Sequence, residues 1–163
     1  MDPKGEKVLD GKKARCYVIG GIVDKSENRD LTSIIAHELL KSGIKCDRRR
    51  IELRGDTIGV PDRINHIEDI VLRVVVDGVK VEEAVREVQP KIVARWRLRR
   101  DLPKKGIRLR IGNKTIRVVP KSCFSEFDWL NLKKIDFYKV CREQKLYLVS
   151  DRVIEEIKKL RLD

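Results

Sequence analysis

Tyr17-Val18-Ile19-Gly20-Gly21-Ile22-Val23-Asp24 is a nearly continuous apolar run that begins at Cys16 and stops at a carboxylate. A strand covered by helices on both faces of a parallel sheet reads this way, because neither face is left for polar residues. The run predicts a strand over 16–24 with Asp24 at its C-terminal end, where open α/β sheets place their ligands. Gly20 and Gly21 let a bulky ligand lie close against the backbone; simple packing against a covering helix asks for the same residues.

Outward from that strand, Leu31, Ile34, Ile35 and Leu39 recur at helical spacing and stop at Ser42-Gly43, predicting a helix laid on the strand. A second strand is expected from Ile44 towards Leu53, with Arg48, Arg49 and Arg50 in it, followed by a loop over 54–60. Pro61 and Asp62 suit the first turn of a helix whose apolar face is Ile64, Ile67, Ile70, Val71, Val74 and Val75. A short helix from Val81 to Val88 ends before Pro90. Strand, helix, strand, helix with short links is the pattern of an α/β domain with a parallel sheet.

After a basic stretch over 91–105 the period changes to two. Ile107, Leu109 and Ile111 alternate with arginines, Gly112-Asn113 is a hairpin turn, and the chain returns through Thr115 to Val119. An amphipathic stretch around 127–140, an apolar run over 146–149 and a helix after Ser150 follow. The expected organisation is a lead segment over 1–15, an α/β domain over 16–102 and a small α+β unit over 103–163.

Lysine and arginine outnumber acids 38 to 26, a net charge of +12. Such an excess is the electrostatic footprint of phosphate-backbone binding. No apolar run reaches the roughly 20 residues that span a bilayer, and residues 1–11 are polar, so no membrane partner is expected and the cytosol is the expected compartment. Cys16, Cys46, Cys123 and Cys141 are scattered without a C-x-x-C pair, which predicts reduced thiols and no metal site. Charged residues at 39% and aromatics at 5% suit the surface ion-pair networks of hyperthermophile proteins.

Four steps occur in one order: the run from Tyr17 to Asp24-Lys25 with Leu31-Thr32 after it, then Gly43-Ile44-Lys45, Ile64-Asn65-His66-Ile67 and Pro90-Lys91. The series resembles the C-terminal part of the archaeal SPOUT-class tRNA methyltransferases that act on ring nitrogen 1 of the purine at position nine. It departs from them at Arg49-Arg50-Ile51, where that family has a Leu-Pro-aliphatic step, and in the acidic residues after Lys25.

The resemblance implies a SPOUT-like parallel sheet with a trefoil knot. S-adenosylmethionine would be held by Gly20, Gly21, Lys25, Thr32, Arg49, Val60, Pro61, Asp62, Ile64 and Asn65, and tRNA would be the substrate. Asp24 is the candidate catalytic residue, because guanine must lose the proton on ring nitrogen 1 while adenine presents a lone pair there. An aspartate that ends a strand and caps the next helix leaves the same trace. Arg48, Arg50, Arg95, Arg97, Arg99 and Arg100 are the candidate phosphate contacts, with Trp96 to stack on a base; a solvated basic face has the same composition.

The resemblance further implies three earlier strands and an N-terminal RNA-binding domain that do not fit before Cys16. Either the sequence is a fragment, or the missing half comes from another polypeptide, or the fold is reduced; an open sheet edge left by the missing strands predicts self-association or a second polypeptide. Two other readings stay open: a non-catalytic RNA-binding module with a SPOUT-like fold, and a basic adaptor whose hairpin turns Arg108, Arg110 and Arg117 towards RNA.

Overall fold

The computed structural model describes residues 1–12, 14–19 and 31–159. The chain is mixed α/β and falls into two compact units, Met1–Gln89 and Pro90–Asp163.

In the first unit β1 (Lys7–Val8) pairs in parallel with β2 (Arg49–Arg50), Lys7 opposite Arg49 and Val8 opposite Arg50. The helices are α1 (Leu31–Lys41), α2 (Ile64–Val75) and α3 (Val81–Val88). The core is Leu9, Ile51, Leu53, Ile70, Val71, Val74, Ala84 and Val85. Glu82 and Glu83 open α3 and Arg86 closes it, each sign matched to the helix dipole. Gly43 and Gly78 end α1 and α2 with φ of 81° and 71°, the left-handed cap that glycine takes without a steric cost. Behind the first, the Ile44 amide reaches back to the Leu39 carbonyl at 3.0 Å.

Four sequence expectations change here. The strand expected from Ile44 to Leu53 contracts to Arg49–Arg50, since a strand extends only as far as its partner and β1 is two residues long. Pro61 and Asp62 precede helix α2 rather than open it; Arg63 is its extended N-cap residue. Of the strand expected over 16–24, Cys16 to Ile19 carry no strand pairing and 20–24 lie outside the described residues. Helix α1, expected to lie on that strand, has no buried residue and leaves Ile34 and Ile35 exposed.

The second unit opens with α4 (Lys91–Asp101), which the sequence left as an unassigned basic stretch. Strands β3 (Ile107–Ile111) and β4 (Lys114–Pro120) form the expected antiparallel hairpin. A 3-10 segment over Lys121–Phe127 and α5 (Lys134–Glu143) then carry the chain across to β5 (Leu146–Val149), parallel to β4. Helix α6 (Asp151–Lys159) follows Ser150. The core includes Phe137, fully buried, whose ring meets Phe124 edge-on at 5.5 Å and Phe127 at 6.5 Å, and the buried Leu98, Leu102, Val119 and Val140.

Candidate active site

The segment joining β2 to α2 is held from inside. Beyond β2 the chain runs through buried Ile51 and Leu53, and the Leu53 amide donates to the Asp56 carbonyl at 2.8 Å. Asp56 Oδ1 accepts from the Ile58 amide at 2.8 Å, and the Val60 amide donates to the Thr57 carbonyl at 3.0 Å. Gln89, 1% exposed, donates through Nε2 to the Gly59 carbonyl at 2.5 Å. A buried carbonyl needs such a donor, so the far end of α3 fixes this loop.

The locked backbone buries Pro61 and half-buries Val60, while Asp62, Ile64 and Asn65 stay exposed, Ile64 at 51%. Within the first turn of α2, Nδ1 of His66 is buried with no partner. The wall thus offers apolar groups, a carboxylate, a carboxamide and an orphaned ring nitrogen at one helix start. That set fits a nucleoside-bearing ligand, which needs an apolar bed for its base and a few polar groups to fix its orientation.

Arg48, Arg49 and Arg50 are all engaged within the chain, and they pin residues 1–10 along β2. Arg48 Nε donates to Asp2 Oδ2 at 3.0 Å, and its Nη2 donates to Ser33 Oγ at 2.9 Å, beside half-buried Thr32 on α1. Arg49 bridges Asp10 at 2.5 Å and Asp47 at 3.2 Å. Arg50 pairs with Glu52 at 2.6 Å and donates to the Gly5 carbonyl at 2.6 Å. Gly5 permits the approach: a Cβ there would stand 2.7 Å from the Arg49 carbonyl carbon.

The carboxylates respond. The Arg49 hydrogen bond is the main force taking Asp10 down to about 2. Asp47 is lowered by Lys7 and then Arg49. Burial pushes Asp2 upward, but the Lys4 amide, Arg48 and Ser33 outweigh it and the net shift is down.

Of the residues singled out in the sequence, Gly20, Gly21, Asp24 and Lys25 lie outside the described residues. Helix α4 sorts the second basic group by face. Arg97 points inward, 6% exposed, bonded to Asp101 at 2.5 Å with its guanidinium 5.3 Å from the centre of the Trp129 ring. Arg95 lies 3.8 Å from Asp136, and Arg99 bonds Glu143 at 2.9 Å. Trp96 is 52% exposed and Arg100 is exposed. Sequence reasoning missed Gln89 and the acids Asp2, Asp10 and Asp47, since nothing local to any of them names a partner.

No group of three His, Cys, Asp or Glu side chains arranged for a metal occurs among the described residues, and no described helix is long and apolar enough to cross a membrane. Cys123 and Cys141 are buried, Cys46 half-buried and Cys16 exposed, all four free.

Residues 95–162 match the family model described as the tRNA (guanine(9)-/adenine(9)-N1)-methyltransferase C domain. Over 98% of its own length the chain is 44% identical to a tRNA (guanine(9)-/adenine(9)-N1)-methyltransferase of Thermococcus kodakarensis, covering 44% of that protein. Over 73% of its length it is 37% identical to a tRNA (adenine(9)-N1)-methyltransferase of Sulfolobus acidocaldarius, again covering 44% of the relative. Among solved structures, a dual-specific Trm10 from Thermococcus kodakaraensis aligns with a TM-score of 0.51 at 47% identity, over 55% of this chain and 53% of that one. The Sulfolobus acidocaldarius Trm10, crystallised with S-adenosylhomocysteine, aligns with a TM-score of 0.54 at 24% identity, over 87% of this chain and 42% of that one. The chain spans less than half the length of the curated relatives it matches, and over that span it is similar to archaeal tRNA (guanine(9)-/adenine(9)-N1)-methyltransferases, with residues 95–162 matching their C domain.

Proposed function

We propose that the chain is the cofactor-binding and C-terminal part of an S-adenosylmethionine-dependent tRNA methyltransferase that methylates ring nitrogen 1 of the purine at position nine. The observation that carries this reading is the 44% identity, over 98% of this chain, to a protein named for that reaction. In finer detail the proposal takes in a SPOUT-like parallel sheet with a trefoil knot over 16–102, a small α+β domain over 103–163, and a cytoplasmic enzyme.

S-adenosylmethionine, when bound, supplies an electrophilic methyl on a sulfonium. Val60, Pro61 and Ile64 would bed its base, while Asp62, Asn65 and Thr32 would orient its polar groups, with Gly20, Gly21 and Lys25 completing the wall. Arg49 positions the site through its pairs with Asp10 and Asp47. The purine nitrogen forms the new N–C bond as the C–S bond breaks, so alignment supplies most of the acceleration. For guanine, Asp24 takes the proton from ring nitrogen 1 as the bond forms. Trp96, Arg99 and Arg100 present the outer face of α4 to RNA, with Arg95 behind them, and Arg48 and Arg50 hold the segment that borders β2.

Nucleosides from tRNA incubated with the chain and S-adenosylmethionine, read by mass spectrometry, test the proposal. 1-Methylguanosine or 1-methyladenosine at position nine is the expected product. Absence of both, together with no calorimetric binding of S-adenosylhomocysteine, sinks it.

A further inference from the structure

The hairpin β3–β4 and the turn joining α5 to β5 border a groove of about 480 Å³ whose lining includes Arg108, Lys114, Arg117, Gln144, Lys145 and Tyr147. Every charged residue between Asp101 and Glu126 is Lys or Arg. Elsewhere in this unit Arg95, Arg97, Arg99, Lys104 and Lys105 each face a carboxylate, whereas Lys114, Arg117 and Lys145 take part in no ion pair among the described residues. Arg117 stands directly across the ladder from Arg108, which gathers positive charge on this hairpin. Its stem passes close over Gly106, where a Cβ would come 2.5 Å from Arg117 Cγ. Lys145 adopts φ of 53°, a conformation that costs a non-glycine residue and collects at functional sites.

We propose that this groove binds a single-stranded stretch of RNA, its phosphates on Lys114, Arg117 and Lys145 and one base stacked on Tyr147. Tyr147 is 56% exposed, the presentation a stacking platform needs, and it decides for RNA over an acidic polypeptide. The proposal rests on tRNA being the substrate and adds a second contact region, separate from the face of α4.

The test titrates the full chain against labelled tRNA and labelled oligouridine, by fluorescence anisotropy, at several salt concentrations. Lys114→Gln, Arg117→Gln and Lys145→Gln combined should weaken tRNA binding at least about tenfold and lower the log–log salt slope by about two. Tyr147→Ala should weaken it about fivefold or more while Tyr147→Phe stays near wild type, because phenylalanine keeps the stack. Wild-type affinity and salt slope in the triple variant overturn the groove and leave the substrate reading standing. A wild-type chain that binds neither RNA overturns both. Displacement of oligouridine by polyglutamate at lower concentration than by unlabelled oligouridine assigns the groove to an acidic polypeptide and overturns the proposal.

Discussion

At the scale of single residues, the chemistry proposed for this chain turns on one proton. Asp24→Asn removes a base without changing side-chain size. Transfer to guanine should fall by about 100-fold or more, since general-base contributions run at about 10² to 10⁴, while transfer to adenine should change far less. Mass spectrometry of position nine in matched guanine and adenine substrates separates the two; equal losses would remove Asp24 from the proton's path. The thiols make a second contrast. Burial raises Cys123 to about 12 and Cys141 to about 11, so neither forms thiolate near neutral pH. Native alkylation followed by peptide mass mapping should therefore label Cys16 and Cys46 well before them.

At the scale of elements, the loop between β2 and α2 depends on a residue far along the chain. Gln89→Ala removes the donor to the Gly59 carbonyl. An unsatisfied buried carbonyl costs about 1–3 kcal/mol. Because the lost bond holds the backbone that leads into Val60 and Pro61, S-adenosylhomocysteine affinity should fall along with the thermal midpoint. A stability loss with unchanged affinity would detach this loop from the cofactor site. In the second unit Phe137→Ala, at a fully buried ring, should cost about 3–5 kcal/mol and melt the sheet and helix α5 together.

Across the whole molecule, acid sensitivity follows from the carboxylates that Lys7, Arg48 and Arg49 hold. The pKa values of Asp2, Asp10 and Asp47 all lie below the ordinary 3.8 in the folded chain. A depressed folded pKa gives stability that is present in full above the unfolded value and is lost as pH falls through the folded one. For these groups the window runs from about pH 4 down to about 2, where Asp10 titrates. Melting curves followed by circular dichroism should show the midpoint dropping across that window. Arg49→Gln, which returns Asp10 towards its ordinary value, should lower the midpoint at neutral pH and flatten the drop. Parallel curves for variant and wild type would show that the acid limb has another origin.

Much of the secondary structure was readable residue by residue. The recurrence of Ile64, Ile67, Ile70, Val71 and Val74 marked α2, the alternation from Ile107 to Val119 marked the hairpin, and Gly43 marked the end of α1. Helix propensity, side-chain period and turn chemistry are set by neighbours a few positions away, so one chain suffices to read them. Net charge and the ordered series of family steps were legible for the same reason, since both are properties of composition and order. What each arginine does was not. Arg48 meets Asp2 across 46 positions, and Arg99 meets Glu143 across 44. Arg97 and Arg100 stand three apart on one helix, yet one is buried and the other exposed. The groove likewise exists only because the fold sets Lys145 and Tyr147 beside Arg117. Local sequence determined which segments coil, extend or turn; only the tertiary structure decided which charges are neutralised inside the chain and which are left for a ligand, because an ion pair depends on distance in space and sequence order carries no measure of that.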